Sequence, residues 1–215
     1  MYRWKPSDRR MGIITSVNAI NIPNLPYPLH WLNQPESWDL SSEGKLTITA
    51  PARTDWFIDP QGAVRLSDAP ALLFPVSGPS ILRARVSVDH LAAFDAGVLL
   101  VYESPLAWAK LCLEFSPQGL PMIVSVVTKG ISDDCNAFTV GGPMYLRVSK
   151  LESAYAFHVS ANDAEWDLIR YFRLEDGTNA QMGFLAQSPT GNGCMASFEA
   201  IHFEERLSAD IRSGV

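Results

Sequence analysis

Cysteine is scarce in this sequence: Cys112, Cys135 and Cys194 are the three present among 215 residues, and they lie far apart. An odd number of distant thiols does not build a disulfide framework, and Cys112 falls inside an apolar strand pattern where a buried thiol is expected. Reducing, cytoplasmic surroundings fit this usage. Basic charge is scarce as well. The formal net charge is −6 and the longest cationic run is Arg9 and Arg10, so there is no stripe to neutralise phosphates and nucleic acid is not an expected partner. Long hydrophobic runs are missing; those present, such as residues 97–102, are strand-sized against the roughly 20 apolar residues of a spanning helix, and no membrane partner is expected. Residues 1–18 mix Arg3, Lys5, Asp8, Arg9 and Arg10 without the compact apolar block and small-residue cleavage site of a secretory signal. They read as a partly ordered arm.

Catalytic and cofactor signatures are also wanting. No Gly-x-Ser-x-Gly elbow, Gly-rich phosphate loop with lysine, or paired His or Cys spacing for zinc occurs, and His30, His90, His158 and His202 are scattered. A two-carboxylate glycosidase needs its carboxyls about 5 to 9.5 Å apart. Laminarinase-type jelly rolls place theirs on one strand as Glu-x-Asp-x-x-Glu, whereas Glu114 is the single acid of its strand pattern. No cofactor is expected.

What is present is a core-forming composition, 47% apolar and 19% charged, unlike a disordered chain. Twelve short apolar runs recur between Gly, Pro, Asn, Asp and Ser: residues 45–50, 55–58, 71–76, 81–88, 97–102, 108–115, 122–128, 144–150, 155–160, 166–172, 182–187 and 197–204. Many strands with hardly a helix predict an all-β sandwich or barrel, and one such domain can run to about 200–250 residues. Helix is confined to at most a turn within residues 207–213. Pro23, Pro26, Pro28 and Pro35 make residues 19–36 an extended lead-in that lays Trp31 and Trp38 on the domain. The chain therefore divides into an arm and lead-in (1–30), a sandwich (31–206) and a tail (207–215).

Strand alternation sorts the side chains into faces. In 108–115, Ala109, Leu111, Leu113 and Phe115 form an apolar face, opposite Trp108, Lys110, Cys112 and Glu114. In 144–150, Leu146 and Val148 oppose Tyr145, Arg147 and Ser149. Each strand thus offers one buried face and one polar face carrying aromatics and charge. Trp108, Lys110 and Glu114, with Arg147 on a face of similar character, form the first candidate site: an indole takes the apolar side of a sugar ring and the charged groups take its hydroxyls. The alternative is a structural ion pair with Trp108 over the aliphatic stems. In the second group, Asp133, Asp134 and Asn136 offer oxygen ligands, but their loop, 128–136, lacks the alternating spacing and closing Glu of a calcium loop. Turn-forming side chains bonding their own backbone explain it equally. Asp55 and Asp95 read as turn or ladder-end residues as readily as functional ones, and residues 188–193 as a tight turn or a ligand-contacting loop.

Thr54-Asp55-Trp56-Phe57, Phe94-Asp95-Ala96-Gly97, Trp108-Ala109-Lys110 with Glu114, Ser125-Val126-Val127-Thr128 followed by Ser132-Asp133-Asp134, Leu146-Arg147, Trp166 with Arg170, and Ala186-Gln187-Ser188-Pro189 occur in that order. Together they resemble the DUF1349 family, which includes the fungal regulation-of-enolase proteins and belongs to the concanavalin A-like lectin/glucanase superfamily. The resemblance runs from about Trp31 to Arg206. It implies a jelly-roll β-sandwich of two antiparallel sheets and carries over no catalytic residues; the family's Trp-x-Lys-x-x-x-Glu falls on Trp108, Lys110 and Glu114. Two departures are a hairpin, Ser160 to Asp163, without the family's glycine, and Cys135 where an aromatic is usual. The expected function is a non-catalytic module binding a carbohydrate or small polar metabolite on the concave sheet. Trp108 stacks on the ligand, Lys110, Glu114, Arg147 and Gln187 hydrogen-bond it, and Asp133 and Asp134 lie alongside. One alternative is a regulatory protein-interaction domain for a glycolytic enzyme, by family analogy alone; another is a hydrolase using Glu114 with Asp133 or Asp134.

Overall fold

The computed structural model describes residues 19–214, and the arm expected over 1–18 lies outside them. Sixteen strands and no helix occur among the described residues. One seven-stranded antiparallel sheet is ordered β1 (His30–Leu32), β6 (Ala71–Pro75), β15 (Gln181–Gln187), β8 (Ala96–Ser104), β9 (Ala107–Phe115), β10 (Pro121–Lys129) and β11 (Ser132–Thr139). The other is β14 (Asp167–Phe172), β13 (Tyr155–Ser160), β12 (Met144–Lys150), β7 (Ser80–Val88), β16 (Cys194–Glu204), β3 (Leu46–Ala50) and β2 (Ser37–Leu40). A two-stranded hairpin, β4 (Trp56–Ile58) with β5 (Arg65–Ser67), completes the set.

The core lies between the large sheets, where the alternating apolar residues meet. Ala109, Leu111 and Leu113 of β9 face Leu82, Ala84 and Val86 of β7 and Leu146 and Val148 of β12. Phe184 and Phe198 bridge the layers with ring centroids 5.1 Å apart. The apolar face expected of β9 is therefore the inner face, with Phe115 half-buried at its end.

The opposite, outer face of the first sheet departs from the expectation of a wet surface. Leu73, Val98, Leu100, Trp108, Cys112, Val124 and Leu185 form a second buried cluster there with Trp56 and Ile58 of the hairpin. The hairpin is tied down by Ile58 N–H donating to Ser132 Oγ at 2.9 Å and Trp56 Nε1–H donating to Ala69 O at 2.9 Å. The hairpin's apolar side chains cover one end of a face that alternation alone assigns to solvent.

Three further differences have local causes. Residues 132–136, read as part of the loop 128–136, belong instead to the edge strand β11, whose side chains are nearly all exposed and so lack the alternation that betrays a half-buried strand. The proline-rich lead-in contains β1, an edge strand, the place where flanking prolines cost no ladder bonds. The turn near the C-terminal end is not helical. Trp31 and Trp38 do lie together on the domain, centroids 6.2 Å apart. All three cysteines are free, and no helix among the described residues is long and apolar enough to cross a membrane.

Candidate functional site

Register across the first sheet brings distant residues into rows, because directly paired residues of antiparallel strands share a face. Lys110 lies between Leu100 of β8 and Val126 of β10, and Asp134 of β11 follows Val126. Glu114 lies between Met122 and Ala96, with Gln187 of β15 beyond Ala96. Ala96, carrying only a methyl group, leaves space above the sheet between Gln187 and Glu114. Where the hairpin stops, these rows form the floor of a cavity of about 260 Å³ lined by Asp55, Lys110, Glu114, Asp134 and Gln187. Phe57, Phe94, Val126 and Pro189 supply its apolar walls. A larger depression of about 640 Å³ opens beside Tyr27, His30 and Gln181, but no Asp, Glu, Lys or Arg lines it.

Lys110 Nζ donates to Asp55 Oδ1 at 3.1 Å and to Gln187 Oε1 at 2.8 Å, with its side chain 2% exposed. Asp55 is held for this role: its N–H donates to Asp68 Oδ1 at 2.9 Å and its Oδ1 accepts from Trp56 N–H at 2.7 Å. Burial disfavours the ammonium, but the Asp55 carboxylate together with the neighbouring Cys112 and Glu114 outweighs it, so Lys110 is held above the usual lysine range. Glu114 is buried too, yet it hydrogen-bonds to no described residue. Burial, opposed by Lys110 and reinforced by the charges of Asp55 and Asp134, pushes its carboxyl up to about 8. Glu114 is therefore the uncharged acid, and Lys110 with Asp55 is the ion pair. Asp134, at the exposed rim, is also raised by burial, with Lys110 opposing.

Phe94 reaches the rim on a left-handed backbone, φ 71°, a conformation that costs a bulky residue of the order of 1–3 kcal/mol. Its N–H donates to Phe115 O at 2.7 Å and its carbonyl accepts from Gln187 Nε2 at 3.4 Å. The neighbouring Asp95, fully buried, accepts from the N–H groups of Leu91 and Ala92 at 3.0 and 2.8 Å and from Ser188 Oγ at 2.7 Å. This knot fastens the loops that carry Phe94 and Pro189.

Of the residues picked out from sequence, Lys110, Glu114, Asp134 and Gln187 meet in the cavity. Trp108 does not: it is fully buried beneath Trp56, rings 5.5 Å apart at 77°, so its face is unavailable for stacking on a ligand. Arg147 belongs to the other sheet, in register with Arg83 and His158, and stacks on Trp166 at 4.2 Å. Asp133, one residue from Asp134, points to the opposite face, where it pairs with Arg170 at 3.0 Å. It cannot partner Glu114. Asp55, Phe57 and Phe94 were not assigned to a site by alternation because they stand in connections or in a three-residue strand; their visible signal was membership of the ordered motifs. Among the described residues, no three His, Cys, Asp or Glu side chains group closely enough to hold a metal ion.

Replacing the partnerless acid should change how stability depends on pH. With a folded value near 8 against 4.5 ordinarily, the folded state keeps a proton that the unfolded chain has released. Its stabilisation is fully present below about pH 4.5 and is lost as pH rises through 8. Glu114→Gln removes this dependence. Urea unfolding at pH 5 and pH 9 should show the wild type losing about 2–4 kcal/mol more than the variant; equal losses would mean the carboxyl is ordinary.

No curated protein matches the chain. Among solved structures it is similar to a functionally unknown protein from Saccharomyces cerevisiae, 23% identical with a TM-score of 0.78, over 84% of this chain and 97% of that one. The GH43 protein BlXynB from Bacillus licheniformis, 15% identical with a TM-score of 0.64, matches 83% of this chain but 37% of its own. A legume lectin-like domain from Entamoeba histolytica is 12% identical with a TM-score of 0.52, over 83% and 90% of the two chains. These likenesses establish the jelly-roll, concanavalin A-like sandwich and nothing finer. The family model described as "Protein of unknown function (DUF1349)" matches residues 31–206, the span carrying every residue of the cavity and all of both sheets except His30, and the chain belongs to the DUF1349 family.

Proposed function

We propose that the outer-face cavity of the first sheet is a binding site for one small polar molecule, of about the size of a sugar ring, and that the protein acts as a binding module. The observation carrying this reading is Glu114: a buried carboxyl without a hydrogen-bond partner, lining a cavity beside a buried ammonium. The Glu114 carboxyl opens onto the cavity with no described residue hydrogen-bonding it, so a ligand hydroxyl or amine there can take that place. The volume, about 260 Å³, stands just below the roughly 300–1,000 Å³ of small-molecule sites and limits the occupant to about one ring. Phe57 and Phe94 supply the apolar contact first assigned to Trp108. The lectin-like and GH43 neighbours support a carbohydrate as the first class to test.

A second reading has its own observation. An uncharged Glu114 with Asp55 and Asp134 in the same cavity is the ingredient list of acid–base hydrolysis. Against it, the Asp55 carboxylate is already taken by Lys110 and by the Trp56 amide.

Phe94→Gly separates the site from the fold. Glycine adopts φ 71° without strain, which offsets the lost ring contacts and the added freedom of the unfolded chain, so the variant should stay within about 1 kcal/mol of the wild type while ligand affinity falls by about tenfold or more. Isothermal titration against a panel of monosaccharides and small metabolites measures the affinity, with Asp133→Asn on the opposite face as the unaffected control. Binding by the wild type that Phe94→Gly leaves intact would place the site elsewhere.

A further inference from the structure

Two of the three ammonium protons of Lys110 are taken by Asp55 and Gln187, and its charge is matched by Asp55 within a hydrogen bond. Glu114 on the floor and Asp134 at the rim are left over, with no uncommitted cation among the other residues lining the cavity. The remaining groups facing Glu114 are the Gln187 amide from β15 and, on its own strand, the Cys112 thiol, which burial holds protonated. Arg170 is engaged by Asp133 on the far side of β11. The pocket thus contains two more carboxyls than it has cations free to meet them, and a proton on Glu114 presently limits that excess.

A phosphate or carboxylate entering the cavity would add to this surplus, and an uncharged polyol would leave it as it is. An ammonium would offset one of the two surplus carboxyls, and the aromatic Phe57 and Phe94 line the same cavity, where a ring can attract a cation. Building on the small-molecule reading of this pocket, we propose that its ligand carries a protonated amine, which settles between Glu114 and Asp134 against Phe57 and Phe94. The accompanying exchange balances: the Glu114 carboxylic acid and an ammonium become a carboxylate–ammonium pair, and one proton passes to the buffer.

Isothermal titration at pH 7, in two buffers of different ionisation enthalpy, reads both affinity and proton release. The probes are small primary amines from methylammonium to glucosamine, each beside its hydroxyl counterpart from methanol to glucose, with glucose 6-phosphate as the anion. At least one amine should bind at least about tenfold more tightly than its hydroxyl counterpart and release close to one proton. Glu114→Gln should abolish both the release and the preference, and glucose 6-phosphate should not bind. A hydroxyl counterpart that binds as tightly as its amine, and is lost in Phe94→Gly, would overturn the amine while leaving the pocket standing. Failure of every probe would overturn both.

Discussion

Gly183→Ala should either prevent folding or lower stability by more than about 4 kcal/mol, the largest effect expected of any single methyl group in this protein. Gly183 lies mid-strand in β15, paired with Leu73 of β6 on one side and Leu100 of β8 on the other. A Cβ there would fall 1.9 Å from the carbonyl oxygen of Leu72 and 2.9 Å from its carbon. Both are backbone atoms of the adjoining strand, so no rotamer change relieves the overlap; β6 and β15 would have to part. Their separation would unzip five paired positions and open the face that Leu72, Phe74, Met182 and Phe184 bury between the sheets. Gly78→Ala is the matched control, since a Cβ there meets nothing within 4 Å, and it should stay within about 0.5 kcal/mol of the wild type. Urea unfolding followed by circular dichroism compares the two, and a Gly183→Ala protein within 1 kcal/mol of the wild type would contradict the close approach.

Lys110→Ala should cost about 3 kcal/mol or more, because removing one partner of a buried ion pair leaves the other without its counter-charge. Asp55 loses its ammonium, Gln187 Oε1 loses its donor, and Glu114 loses the cation that holds its carboxyl down. The pair Asp55→Asn with Lys110→Met, by contrast, removes both charges and keeps most of the volume. It should recover more than half of the loss, since the net worth of a buried pair is small once desolvation is counted. Chemical denaturation of Asp55→Asn, of Lys110→Met and of the double variant gives the coupling energy, and additive losses would show that the two side chains act independently.

The sequence reads clearly where structure follows from period two. Alternation in 108–115 identified the inner face of β9 and placed Lys110 and Glu114 together on the other side, and twelve apolar runs each correspond to a strand. Residues that meet through non-local pairing were harder to read. Nothing within 108–115 announces that Trp56, about fifty residues earlier, lies over Trp108. Arg147 and Lys110 occupy faces of the same polar character, and local pattern does not tell which sheet a strand joins; strand order put them in different layers. Asp133 and Asp134 look equivalent as neighbours in a polar run, but successive strand residues face opposite ways, and only the pairing of Asp134 with Val126 shows which one reaches the cavity. Phe94 was legible only as a member of an ordered motif, because its left-handed backbone is a tertiary imposition, invisible in a residue type that seldom adopts it.

The arrangement stands or falls on one proton. With the Glu114 carboxyl carbon labelled with ¹³C, its chemical shift can be followed by NMR across the pH range in the intact protein. An uncharged acid shut in beside the Lys110–Asp55 pair should titrate with a midpoint near 8. A midpoint near the ordinary 4.5 would mean that Glu114 is ionised and solvated at neutral pH, and the cavity would then lack both its unmet acid and its reason to take up a ligand.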